Sequence, residues 1–303
     1  MGTGHGHGHG QLSGSGRHRW RLAVSFALIA VFFVVELVYG LLSGSLALLS
    51  DAGHMAADVV TLGAALVATR IATRPDTTGR RSYGSYRAEV FASLLAVVLM
   101  LGVALYVAIE AIGRIGAPAE VATGPMLVVG AIGLLVNLVA LALLRAGAAD
   151  SLNVKGAYLE VLADTAGSVG VIAAGWLISV TGQAYWDTVI ALGIGVFVAV
   201  RAVSLGRQVF AVLGQHVPEG MDAAAVTRDL AAIEGVRDVH DLHLWTLTSG
   251  MNVATAHLVT IDHADSHAVL DRARHVLREH HGVAHATLQV EPADHTGCDE
   301  LGW

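Results

Sequence analysis

Residues 45–70 read SLALLSDAGHMAADVVTLGAALVATR. Almost every side chain is apolar or small, and the run is long enough to cross a bilayer, which takes roughly 20 such residues. Yet it contains Asp51, His54 and Asp58. An Asp near the centre of a spanning helix costs at least ~2.5–3.5 kcal/mol on insertion scales. His54 and Asp58 stand at i and i+4, so they project from one helix face about one turn apart. Some interaction must offset the cost of placing them there.

The same spacing recurs at 156–176, GAYLEVLADTAGSVGVIAAGW, where Glu160 and Asp164 also stand at i and i+4. Two helices that each present two ligand-type side chains at matched spacing can close a four-coordinate site. Zn²⁺ favours that tetrahedral geometry, with nitrogen and oxygen ligands at ~2.0–2.2 Å. Three carboxylates together repel one another, and a divalent cation, or protons in its place, removes the repulsion. The alternative is interhelical hydrogen bonding by isolated polar groups. The duplicated spacing argues against it, as does the expectation that no intramembrane Arg or Lys is placed to pair with these acids. Asp51, three residues before His54, lies near the same face and could guide ions. Glu36 and Asn137 either line a path or hydrogen-bond helices together. Gly167 and Gly170 are expected to permit close packing.

The composition places these motifs in a membrane protein. Of 303 residues, 54% are hydrophobic and 14% charged, against about 25% charged in a soluble domain. The net charge of −7 excludes nucleic acid as an expected partner. Cys298 is the one cysteine, so no intrachain disulfide forms. His5, His7, His9 and His18 precede the first apolar run, and eleven histidines lie from His216 onward. His54 alone remains for the apolar portion.

Six spanning helices are expected, near 20–42, 46–69, 88–112, 124–145, 157–180 and 186–206. The short link SGS makes the first two a hairpin. After about residue 207 charged residues and histidines become frequent. That part reads as a helix near 222–233, strands near 236–247 and 251–261, a helix near 266–280 and a strand near 284–291. The expected fold class is an all-α six-helix transmembrane bundle followed by a small α+β (αββαβ) cytosolic domain. Four segments follow: a His/Gly-rich tail at 1–19, a transport-type bundle at 20–207, the cytosolic domain at 208–292 and a tail at 293–303. The N-terminal GHGHGHG is either a weak metal-binding arm or a spacer. Arginines and one lysine fall in alternate links: Arg17, Arg19 and Arg21; Arg70, Arg74, Arg80, Arg81 and Arg87; Arg145 and Lys155; and Arg201 and Arg207, read as closing span six. By the positive-inside rule both termini are cytoplasmic. Glu110 and Arg114 read as an i,i+4 ion pair at the outer end of span three.

Several segments together resemble the cation diffusion facilitator family, in its zinc/cobalt/cadmium efflux branch. They are SLALLSDAGHMAADVVTLGAALVA at 45–68, SYGSYRAEVFASLL at 82–95, EAIGRI at 110–115, GAYLEVLADTAGSVGVI at 156–172, VPEGMD at 217–222 and VRDVHDLHLWTLTSG at 236–250. They cover almost the whole chain in family order. The resemblance implies a homodimer in a lipid bilayer, expected in a bacterial plasma membrane, that exports divalent cations against inward protons. It implies that His54, Asp58, Glu160 and Asp164 form the transport site. It places a cytosolic metal site at His240, His257 and Glu291, with His267 a candidate ligand of a second ion. His243 is either a ligand or a strand-surface residue. His280, His281 and His285 read as solvated, and His295 and Cys298 as possible ligands in the tail. Two departures matter. Many zinc-selective relatives carry His where Glu160 stands, and a carboxylate makes the site harder, which opens it to Co²⁺, Cd²⁺, Fe²⁺ or Mn²⁺ besides Zn²⁺. The loop RPDTTGRRSYGSYRAE at 74–89 has Asp76 but no His, so no metal site is expected in it.

Competing classes are weaker. No G-x-x-x-x-G-K-[ST] occurs, so ATP is not the expected energy source. No H-E-x-x-H helix occurs, and four protein ligands leave no open position, so an intramembrane metal enzyme is not expected. A membrane metal sensor that does not transport is the remaining alternative.

Overall fold

The structure is a computed structural model, and it describes residues 13–72, 83, 86–115, 120–148, 152–248 and 250–293. The GHGHGHG stretch, Asp76 with most of its loop, and His295 and Cys298 lie outside the described residues. The chain forms two compact units, residues 1–66 with 92–205 and residues 67–91 with 206–303.

Six long helices dominate: α1 Ser13–Ser43, α2 Leu46–Ala72, α3 Ala88–Gly113, α4 Thr123–Ala148, α5 Leu152–Thr181 and α6 Tyr185–Leu213. Among the described residues, five are long and apolar enough to cross a membrane: α1, α3, α4, α5 and α6. The remaining one, α2, carries Asp51, His54 and Asp58 in its first half. Helix ends differ most from the sequence expectation at α1, which starts at Ser13, at α6, which runs on to Leu213, and at α5, which starts at Leu152. No proline falls in those stretches, so the backbone hydrogen-bond ladder continues past the apolar run. In the first unit one buried cluster draws on all six helices, including Phe32, Met55, Val107, Met126, Val171 and Ala191. Small residues let the helices approach. A methyl group at Gly53 would lie 2.2 Å from Val103 Cγ1 on α3, and one at Gly133 would lie 2.5 Å from the Phe32 ring on α1. Gly44 turns the α1–α2 hairpin at φ +67°, a conformation that favours glycine.

The second unit contains α7 Ala223–Ala231, β1 Val236–Thr248, β2 Met251–Thr260, α8 Ser266–His281 and β3 Val283–Glu291. The sheet order is β1-β2-β3, with β1–β2 antiparallel and β2–β3 parallel. Asp222 caps α7 by accepting from the Ala224 amide, and Asp265 caps α8 by accepting from His267 and Ala268. Each such cap is worth ~1 kcal/mol. Val226 and Leu230 on α7, and Val269, Ala273 and Leu277 on α8, recur at helical spacing and bury against Leu244, Ala254 and Leu258 of the sheet. Because side chains alternate along a strand, His257, next to Leu258, points to the face away from the helices.

Candidate metal centres

In the first unit α2 and α5 bring three ligand atoms together. His54 Nε2 lies 3.4 Å from Asp164 Oδ1 and 3.9 Å from Asp58 Oδ2, and a nitrogen and two carboxylate oxygens of these residues all fall within 4.8 Å of one another. Ligands ~2.0–2.1 Å from a tetrahedral metal sit ~3.3 Å apart, so the spacing suits a shared cation. Asp58 Oδ2 and Asp164 Oδ1 are buried and meet no hydrogen-bond donor among the described residues. Atoms that converge without bonding one another have the arrangement of a ligand set.

Glu160 stands apart from these three. Its carboxylate is bonded to the Arg201 guanidinium of α6. Arg201 also places Nη1 2.8 Å from His54 Nε2 and Nη2 3.8 Å from Asp58 Oδ1. This corrects the expectation that no basic residue is placed to pair with these acids. The cause is the length of α6: it continues twelve residues beyond Arg201 to Leu213, so Arg201 lies within the helix rather than at its end. The signal in the sequence was the unbroken helical pattern after 201, together with a carboxylate cluster in need of positive charge.

Asp51 lies outside the three-atom cluster. It lies beside Glu36 of α1, close enough for the two carboxyl groups to interact electrostatically. Both residues are buried, and Glu36 Oε1 and Oε2 and Asp51 Oδ1 meet no hydrogen-bond partner among the described residues. Gly167, one turn after Asp164, makes room for it: a methyl group there would lie 2.2 Å from Asp51 Oδ1. At Gly170 the nearest atom would be Ile190 Cγ2 at 3.4 Å, an ordinary contact. Asn137 donates from Nδ2 to Ser168 Oγ at 3.2 Å, joining α4 to α5. The expected Glu110–Arg114 pair forms at 3.4 Å, but Arg114 also reaches Asp187 Oδ2 at 3.2 Å and the Gly44 carbonyl at 3.0 Å.

The second unit holds another cluster. His240 and His257 are directly opposed in the β1–β2 register, with ring centroids 5.1 Å apart. Glu291, at the end of β3, lies 3.4 Å from His240 Nε2 and 2.9 Å from His257 Nδ1. Neither ring nitrogen makes a well-aligned hydrogen bond, and all three residues converge within 4.8 Å. Asp241 was not foreseen. Between His240 and His243, Asp241 and Leu242 oppose Ala256 alone, a β-bulge that puts Asp241 at φ +51°. The bulge re-aims Asp241, leaving it 2.9 Å from His243 and 3.8 Å from His257. His267 is outside this cluster; it opens α8, is exposed and pairs with Asp271 at 3.6 Å. His281 departs from the solvated reading: it is largely covered and bonds Asp229 of α7 at 2.8 Å. His285 stacks edge-on with Tyr83 at 6.0 Å.

Residues 22–213 match the cation efflux transmembrane domain and residues 218–293 the cytoplasmic domain of cation efflux proteins. The chain is 41% identical over 273 residues to the metal cation efflux system protein CzcD of Cupriavidus metallidurans, covering 90% of this chain and 86% of that one. It is 35% identical over 279 residues to the cadmium, cobalt and zinc/H(+)-K(+) antiporter of Bacillus subtilis, covering 90% and 89%. It is 36% identical over 273 residues to the zinc transporter ZitB of Escherichia coli, covering 89% and 87%.

Proposed function

Since the chain belongs to the cation diffusion facilitator (cation efflux) family, in its zinc/cobalt/cadmium branch, we propose that it exports divalent metal cations, zinc foremost, in exchange for protons. One observation carries this reading: His54 Nε2 and the carboxylates of Asp58 and Asp164 converge within 4.8 Å inside a bundle of apolar helices. In this reading α2 is the sixth span, both termini are cytoplasmic, and the bundle ends near residue 207. The second unit, near 208–292, joins two copies of the chain into a homodimer.

The metal is cargo. It enters from the cytosol and exchanges its hydration shell for His54, Asp58 and Asp164, with Glu160 as the fourth ligand. These groups hold metal only when deprotonated, so metal and protons compete for the same lone pairs. The bundle then reorients, and protons from the outer side displace the metal. The Glu36–Asp51 pair lies in the half of the bundle assigned to the outer side. In the second unit His240, His257 and Glu291 hold a resident divalent ion that favours the dimer, with Asp241 beside them, and His267, outside that cluster, is a candidate ligand of a second ion. The test is metal and proton flux in proteoliposomes. Wild-type chain should move zinc one way and protons the other, and a chain that binds zinc without moving it would be a sensor.

A further inference from the structure

Arg201 is the element of the site that the family reading does not use. It approaches from α6, while the ligands come from α2 and α5. Arginine has five donors and no acceptor, so the 2.8 Å contact between Arg201 Nη1 and His54 requires Nε2 to be the accepting nitrogen. That leaves the ring proton on Nδ1, which is buried with no partner among the described residues. Nε2 is also the ring nitrogen that lies 3.9 Å from Asp58 Oδ2 and 3.4 Å from Asp164 Oδ1. A metal ion needs the lone pair of that same nitrogen. One lone pair cannot serve a guanidinium and a metal together.

The carboxylates repeat the conflict. Arg201 Nη2 is bonded to Glu160 and lies 3.8 Å from Asp58 Oδ1. Arg201 therefore meets three of the four residues assigned as ligands, all except Asp164, whose Oδ1 lies 3.4 Å from His54 Nε2. Its place also allows it to leave. His54 and Asp164 are 2% and 3% exposed, whereas Asp58, Arg201 and Glu160 are 19%, 26% and 40% exposed. The guanidinium lies on the open side of the cluster, on a long side chain with several rotamers.

We propose that Arg201 is a tethered cation that competes with the metal for His54 Nε2 and Glu160. When metal enters, the guanidinium withdraws and Glu160 becomes available as the fourth ligand. When metal leaves, the guanidinium returns. The carboxylates thus pass from one cation to another without standing unneutralised in a poorly hydrated place, which would be costly. Arg201 weakens metal binding and speeds release. It is a positioning residue that acts through His54 and Glu160. The inference rests on the proposed transport site.

The test is zinc titration of the full chain in detergent, with the membrane-site signal defined as the part lost in Asp58→Ala. Arg201→Gln should bind zinc at this site at least about tenfold more tightly, a change of ~1.4 kcal/mol, and release it more slowly in flux assays. Arg201→Lys keeps a tethered charge and should stay near wild type. Equal or weaker binding in a folded Arg201→Gln chain would overturn the proposal, as would tighter binding in Arg201→Lys equal to that in Arg201→Gln. A second measurement needs no variant: phenylglyoxal labelling of Arg201, read by peptide mass, should rise when zinc is added. Unchanged labelling, or protection by zinc, would overturn it. If wild type shows no signal that Asp58→Ala removes, the transport-site reading itself fails. If that signal is present and Arg201→Gln leaves it unchanged, only the role of Arg201 fails.

Discussion

Asp187 of α6 caps the amino terminus of α2 at Leu46: its Oδ2 accepts from the Leu46 amide at 2.6 Å, while Oδ1 accepts from Ala47 N at 3.1 Å and Ser45 Oγ at 2.7 Å. A helix leaves its first amides without internal partners, and a carboxylate placed there also meets the positive end of the helix dipole. Arg114, the residue after the end of α3, balances the same carboxylate at 3.2 Å. Three helices are therefore tied at the end from which α2 descends to His54 and Asp58. Removing one partner of a buried pair costs ~3–5 kcal/mol. Asp187→Ala should lower the thermal midpoint of the detergent-solubilised chain by several degrees and impair zinc flux. An unchanged midpoint would mean that the cap does not hold α2.

Gly167 gives a sharper steric test. Alanine there puts a methyl group 2.2 Å from Asp51 Oδ1, so Asp51 or α5 must move, close to Asp164. Gly167→Ala is expected to reduce zinc flux strongly with the chain still inserted. Gly170→Ala, with its nearest neighbour at 3.4 Å, should be close to neutral. Equal effects of the two would remove the steric explanation.

The contrast between these positions shows what the sequence could convey. Apolar runs located the long helices, and α/β periodicity located α7, β1, β2, α8 and β3, because burial imposes those repeats directly. The i,i+4 pairs were legible because one helix fixes their geometry. Arg201, Asp187 and Asp241 were not. Asp187 caps a helix that begins 141 residues earlier in the chain, and no local pattern encodes that meeting. Asp241 reaches His257 only through a bulge, which shifts the strand's alternation by one residue. Arg201 reads as the end of a span, yet no proline follows it within α6, and Gly206 does not stop the helix, which continues to Leu213.

In the second unit, His240→Ala with His257→Ala leaves Glu291 without its histidine partners. The full-length double variant should lose about one tightly bound divalent ion per chain, measured by metal analysis after desalting, and its dimer should dissociate at lower dilution. Structural sites of this donor type depend on each ligand. Unchanged metal content would remove His240 and His257 from the ligand set.

Glu160→His exchanges an anionic group for a neutral one when both are ready to bind metal. It also deprives Arg201 of its carboxylate partner. With Zn²⁺ bound, two His and two Asp are formally neutral, whereas one His and three acids retain a negative charge. The variant should therefore prefer Zn²⁺ over Mn²⁺ and Fe²⁺ more sharply than wild type, read by competitive flux at pH values between about 6 and 8, where histidine titrates. Identical selectivity and pH dependence would show that Glu160 does not touch the metal.

The central claim is that His54, Asp58 and Asp164 form the path of the metal. Its most direct test records zinc and protons together in proteoliposomes, with one dye for each, for wild type, Asp58→Ala and Asp164→Ala reconstituted to equal density. The account predicts zinc movement with opposite proton movement in wild type, and loss of both in each variant while the chain remains folded and inserted. Near-normal zinc flux in either variant would contradict it.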